Sequence, residues 1–200
     1  MKVYFDGCSW TYGAENDPSD RFSTVLCNKM GAEEINVSQN GASNKAILRR
    51  TLVENNISDY DLAVIQLTMP NRTEYWNVKV GRWTRVGINK FIHKNRPSNL
   101  KKGEWEEEML NFWRYYHKNV YTDELGEIDE KVTYTAIRSH CNANNVPLIL
   151  TTIRSWPFSE LPFDINLNDQ KYPRAPQNHP NKEGHEMIAN DLYKIYESLL

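Results

Sequence analysis

The chain has 200 residues, a formal net charge of -2 and a mean hydropathy of -0.70. That length suits a single domain, and the near-neutral charge gives no electrostatic basis for binding nucleic acid. No apolar run approaches the roughly 20 residues of a membrane-spanning helix, so no membrane association is expected. Cys8, Cys27 and Cys141 are odd in number and scattered. They read as reduced thiols rather than a disulfide framework or a zinc site. The amino terminus lacks a signal-like apolar core, and with the thiols this predicts a cytoplasmic protein.

Residues 2–7 form the first expected strand, Lys2-Val3-Tyr4-Phe5-Asp6-Gly7, which runs directly into Cys8-Ser9-Trp10-Thr11-Tyr12-Gly13. A strand that stops at glycine and presents a serine two residues later reads either as a polar turn or as a way to expose a nucleophilic hydroxyl. Glycine tolerates the tight backbone needed there. A helix is predicted over 22–30, ending near Gly31. A strand follows over 34–38, then the turn Asn40-Gly41-Ala42-Ser43-Asn44 and a helix over 45–55. Residues 61–67, Asp-Leu-Ala-Val-Ile-Gln-Leu, are apolar almost throughout, as in a strand buried on both faces of a parallel sheet.

Residues 73–119 break the alternation of strands and helices. This aromatic-rich stretch is expected to be an insertion at the end of the third strand, within a single domain covering 1–200. It should enter a helix with Trp105, Met109, Phe112, Trp113 and Tyr116 at helical spacing. Trp105 and Trp113 fit a core stripe or a cleft wall. The next helix, about 123–144, carries Leu125, Ile128, Val132 and Ala136 on one stripe. A strand over 146–152 and an amphipathic helix over 181–199, with Ile188, Leu192, Ile195 and Leu199 aligned, complete the chain. Alternating strands and helices predict an α/β, flavodoxin-like, three-layer fold with a mainly parallel sheet of about five strands. His93, His117 and His140 have no ligand-like spacing, so neither a metal nor another cofactor is expected.

Four segments follow predicted strands or precede the last helix: the Ser9 turn, the Gly41 turn, Thr68-Met69-Pro70-Asn71-Arg72, and Asn178-His179-Pro180-Asn181-Lys182-Glu183-Gly184-His185. In this order they resemble the SGNH (GDSL-like) hydrolase family. The resemblance covers the chain apart from the aromatic insertion. It implies a serine esterase working through an acyl-enzyme, with Ser9 as nucleophile and His179 as general base. The oxyanion hole would be the Ser9 and Gly41 amides with the Asn71 side chain.

The sequence departs from the family pattern at three places. Cys8 replaces the usual aspartate. Asn71 aligns only if its turn carries one extra residue. Pro176 stands where the family has the aspartate that orients the histidine, which leaves Asp169 or Asp164 to do so, or a Ser–His dyad. Arg72, Trp76 and Trp10 are candidate substrate contacts, and Arg72 reads equally well as a surface ion-pair partner. His185 reads as structural. The implied substrate is a small-molecule or carbohydrate ester, such as an O-acetyl sugar. The alternative is a non-catalytic member of the same fold that binds a glycan or a protein.

Overall fold

A computed structural model describes residues 1–87, 107–154 and 161–199. His93 and Trp105 lie outside the described residues. Five strands form one parallel sheet: β1 (Lys2–Asp6), β2 (Glu33–Asn36), β3 (Leu62–Leu67), β6 (Leu148–Thr152) and β7 (Ile165–Asn166), in the order β2-β1-β3-β6-β7. All six residues of β3 are buried, as its unbroken apolar run requires of a strand covered on both faces. The remaining strands, β4 (Arg72–Asn77) and β5 (Arg82–Gly87), pair only with each other as an antiparallel hairpin.

The connections place the helices. From β1 the chain steps to β2 through α2 (Phe22–Met30), then returns past β1 to β3 through α3 (Asn44–Arg49). Right-handed crossovers taken in opposite directions put α2 and α3 on opposite faces of the sheet. Accordingly α2 packs with α6 (Lys182–Glu197), and α3 packs with α5 (Asp123–Ala143). The core between these layers includes Tyr4, Phe5, Phe22, Leu26, Ile65, Ile137 and Ile188. The direction of winding reverses between β1 and β3. In such sheets the crevice beyond the carboxyl ends of those strands is where ligands bind.

Several expected elements are shifted. The helix beginning at Asn44 runs to Arg49 and continues as a wider π-helical turn over Arg50–Glu54. Ile128 and Val132 are exposed, and α5 instead buries Glu130, Thr133, Tyr134, Ile137 and Cys141. The predicted stripe fails because the buried face holds polar side chains whose partners lie elsewhere in the chain: Glu130 is paired with Arg154, and the Tyr134 hydroxyl donates to Pro162 O at 3.0 Å. Leu199 lies past the end of α6 and is exposed. Among the described residues, no helix is long and apolar enough to cross a membrane.

His185 ties α6 to α2. The Phe22 N–H donates to His185 Nδ1 at 3.1 Å, and the two rings stack with centroids 5.7 Å apart. The bond needs a neutral imidazole. Burial, with a smaller contribution from His179, pushes the His185 pKa down to about 4 from 6.5. The unfolded chain therefore takes up a proton below pH 6.5 that the folded protein refuses. This contribution to stability is complete above that pH and lost as pH falls toward 4. Urea unfolding should show His185 costing about 2 kcal/mol of stability between pH 7.5 and pH 5. His185→Gln should flatten that pH dependence.

Candidate active site

The end of β1 is held by a buried ion pair. Asp6 accepts from Arg50 Nη2 at 2.5 Å and from Arg50 Nε, and also from the Gly7 N–H at 2.6 Å and the Tyr4 hydroxyl. Burial pushes the Asp6 carboxyl up, and Arg50 pulls it back toward the charged form. Just beyond lies the one-turn helix α1 (Ser9–Tyr12), with Ser9 as its first residue. The amides that open a helix have no intrahelical acceptor.

Gln66 at the end of β3 fixes this turn. Its Oε1 accepts from Thr11 Oγ1 at 2.9 Å and from the Cys8 N–H, while its amide group donates to Leu67 O at 3.0 Å. Gly7 is required for this close approach, since a Cβ there would lie 2.3 Å from Thr11 Oγ1. Cys8 is fully buried, with Sγ 3.8 Å from Ser9 Oγ. Burial raises the thiol's pKa, but the Arg72 charge and hydrogen bonds from Trp10, Gln66 and Thr68 outweigh it, and the net shift is downward.

Two further loops meet this turn. Gly41 follows β2 with φ 75°, the left-handed region that favours glycine, and open space lies where its Cβ would be. The Asn44 side chain clamps the neighbouring loop by accepting from Thr68 N at 2.8 Å and donating to Thr68 O at 3.1 Å. Asn71 is the third residue of a turn closed by Arg72 N–H donating to Met69 O at 3.2 Å. Arg72 donates from Nη1 to Thr68 Oγ1 at 2.8 Å.

His179 sits on a tight loop. The Ala175 N–H donates to His179 O at 2.7 Å, and Asn178 has φ 68°. Gly184 lets this loop reach the start of α6, because a Cβ there would meet Pro173 O at 2.3 Å. The loop docks on the segment after α1. Asn16 donates to Pro180 O at 2.8 Å, and the Arg174 guanidinium lies 4.5 Å over the Trp10 ring. Trp10 is thus buried core, its ring covered by Arg174, and not an open substrate contact.

The carboxylate at His179 is Glu15. His179 Nδ1 lies 2.7 Å from Glu15 Oε2, and Glu15 Oε1 accepts from the Gln177 N–H at 3.1 Å. Burial of Glu15 opposes ionisation, but the His179 and Gln177 hydrogen bonds outweigh it and hold the carboxyl below the usual range. Neither expected aspartate takes this place. Asp164 accepts from the Leu150 N–H at 2.6 Å in the middle of β6, away from the strand's carboxyl end. Asp169 caps its own turn by accepting from the Lys171 N–H at 3.1 Å.

The hairpin has two faces. Residues paired across antiparallel strands project to the same side, and neighbours along a strand alternate. Tyr75 and Val86 pack with Trp113 and Tyr116 of α4 (Glu107–Asn119), so Trp113 is core rather than cleft wall. The other face carries Arg72, Glu74, Trp76, Trp83 and Arg85. It turns toward the site loops: Arg49 pairs with Glu74 and stacks over Trp83, and Arg85 donates to Asn40 O, next to Gly41. Trp76 and Trp83 remain exposed, edge to face at 5.7 Å. Among the described residues, no cluster of His, Cys, Asp or Glu is placed to hold a metal ion.

Asp6, Glu15, Asn44, Arg50 and Gln66 were not identified from the sequence as site residues. Glu15 and His179 are 164 positions apart, and no local pattern links them.

Gly7→Ala should destabilise the protein by about 1–3 kcal/mol, because the new methyl must displace Thr11 or Gln66. Denaturant unfolding measures this directly.

No protein-family model matches the chain, and no curated protein sequence matches it significantly. Solved structures do. A protein of the G-D-S-L family from Desulfitobacterium hafniense is 11% identical with a TM-score of 0.55, the match covering 97% of this chain and 98% of that one. A psychrotrophic esterase from Pseudoalteromonas sp. is 13% identical with a TM-score of 0.54, covering 99% and 98%. A family two carbohydrate esterase from Clostridium thermocellum, solved with cellohexaose, is 12% identical with a TM-score of 0.55, covering all of this chain and 64% of that one. The parallel sheet, its strand order and these likenesses give the chain the α/β fold of the SGNH, GDSL-like hydrolases.

Proposed function

We propose that the protein is a serine esterase. One observation carries this reading: Ser9 opens α1 at the carboxyl end of β1, and the loop bearing His179 is docked on the segment that follows α1. In the proposed reaction His179 takes the Ser9 proton as the hydroxyl attacks the ester carbonyl. The oxyanion then receives hydrogen bonds from the Ser9 and Gly41 amides and the Asn71 side chain. Collapse of the intermediate releases the alcohol, and water activated by His179 releases the acid. The open space beside Gly41 suits an amide that must approach a substrate carbonyl closely. Pro176 stands where an orienting aspartate is expected, but the Glu15 carboxylate beside His179 favours the catalytic reading over a binding-only protein.

For the alcohol half of the ester we propose a carbohydrate. The exposed Trp76–Trp83 pair and Arg72 lie on one face of the hairpin, which starts beside the site loops. A strand rises about 3.3 Å per residue, so Trp76 is about 13 Å along β4 from Arg72, a span suited to more than one sugar ring. Arg72 is the nearer contact and Trp76 the farther one. Neighbours of this fold include proteins described as carbohydrate esterases.

The purified protein should hydrolyse p-nitrophenyl acetate and be labelled by a fluorophosphonate. Ser9→Ala should abolish both, and Asn71→Ala should lower kcat by about 10²- to 10³-fold. A folded wild-type protein that neither turns over the ester nor takes the label would rule the reading out. Trp76→Ala should raise KM for an acetylated oligosaccharide by about 3- to 10-fold while leaving p-nitrophenyl acetate kinetics unchanged.

A further inference from the structure

We propose that Glu15 is the residue that positions His179, so that the nucleophile and the acid of the triad come from one short segment following β1. This inference rests on the esterase reading and extends it to the residue behind the histidine.

Three observations support it. The first is contact. Both Glu15 oxygens are engaged by the His179 loop, one by the ring at 2.7 Å and one by the Gln177 N–H at 3.1 Å. The two side chains screen each other to 16% and 18% exposure for Glu15 and His179, although Glu15 as a whole lies at the exposed surface. The second is a rigid path from Ser9. Ala14 N–H donates to Ser9 O at 2.9 Å, Gly13 adopts φ 79°, and Asn16 N–H donates to Gly13 O at 3.1 Å. This closure of α1 sets the Glu15 backbone relative to Ser9.

The third is backbone strain. Among the described residues, the non-glycine residues in the left-handed region are Glu15 at φ 70°, Asn145 at φ 56° and Asn178 at φ 68°. One of the three is a partner in the His179–Glu15 contact, and another, Asn178, immediately precedes His179. Glutamate has no side-chain means of relieving such a conformation, so surrounding structure must hold it.

The chemistry follows from the donor inventory. An ionised carboxylate only accepts, so the proton between the groups belongs to His179 Nδ1, and the lone pair falls on Nε2. That is the tautomer a general base needs. As Nε2 takes the serine proton the ring becomes cationic, and the adjacent Glu15 charge stabilises it without itself taking a proton.

The test uses the full chain with Glu15→Ala and Glu15→Asp. Glu15→Ala should lower kcat by roughly 10²- to 10⁴-fold with KM changed less than about twofold, and Glu15→Asp should recover at least about tenfold of that loss. A wild type active through Ser9 whose Glu15→Ala variant keeps its kcat would overturn the positioning role while leaving the esterase reading intact. A second measurement needs no activity. At alkaline pH the imidazole ¹⁵N shifts should show His179 protonated at Nδ1 in the wild type and Glu15→Asp, and at Nε2 in Glu15→Ala. A wild-type His179 protonated at Nε2 would overturn the proposal even if no substrate is found.

Discussion

The buried pair of Asp6 and Arg50 is the constraint on which the site end of the sheet depends. Taking both charges out of water costs several kcal/mol each. Coulombic attraction offsets this only where geometry is good and the remaining donors and acceptors are used. Here Asp6 also accepts from the Gly7 N–H and the Tyr4 hydroxyl, while Arg50 Nη1 has no hydrogen-bond partner among the described residues. Arg50 begins the turn that extends α3, so the pair locks the end of β1 to the helix that starts just after the Gly41 turn. Gln66 then ties the Cys8–Thr11 turn to β3, and Asn44 ties the start of α3 to the Thr68 loop. The loops after β1, β2 and β3 are thereby triangulated by buried polar side chains. In the proposed reaction, donors held in this way would need little reorganisation when charge develops on a substrate.

The hairpin between β3 and α4 uses its pleat to serve two surroundings. One face packs Tyr75 and Val86 against the aromatic residues of α4, in a cluster separate from the main core. The other face keeps charged and indole side chains beside the site loops, anchored by Arg49 to Glu74 and by Arg85 to Asn40. Aromatic richness in the sequence therefore has two physical meanings here. Trp113 is packing, whereas Trp76 and Trp83 are surface.

Docking the His179 loop on the segment after α1 closes the molecule, because it brings residues from the two ends of the chain together. Trp10 illustrates the trade. Its ring supports Arg174, which also donates to Asn178 O at 3.2 Å, so the indole helps to shape the histidine loop instead of meeting a ligand. The left-handed backbone at Glu15 and at Asn178 is the conformational cost of that docking.

Much of the architecture was legible in the sequence because it depends on local periodicity. The buried run of β3, the alternation of strands and helices, and the strand–glycine–serine junction at Gly7 and Ser9 are all nearest-neighbour patterns. The strand β7 escaped notice because two residues carry no period. The stripe of α5 was misread because the face it buries contains Glu130, whose burial depends on Arg154, a partner 24 positions away in sequence. The carboxylate beside His179 lay beyond reach for the same reason. Proximity in sequence favoured Asp164 and Asp169, but Asp164 is taken by the β6 backbone and Asp169 by its own turn. Which acid faces the imidazole is decided by how the last loop folds back on the first. That is a contact across 164 positions, set by tertiary packing and not by any local preference of the chain.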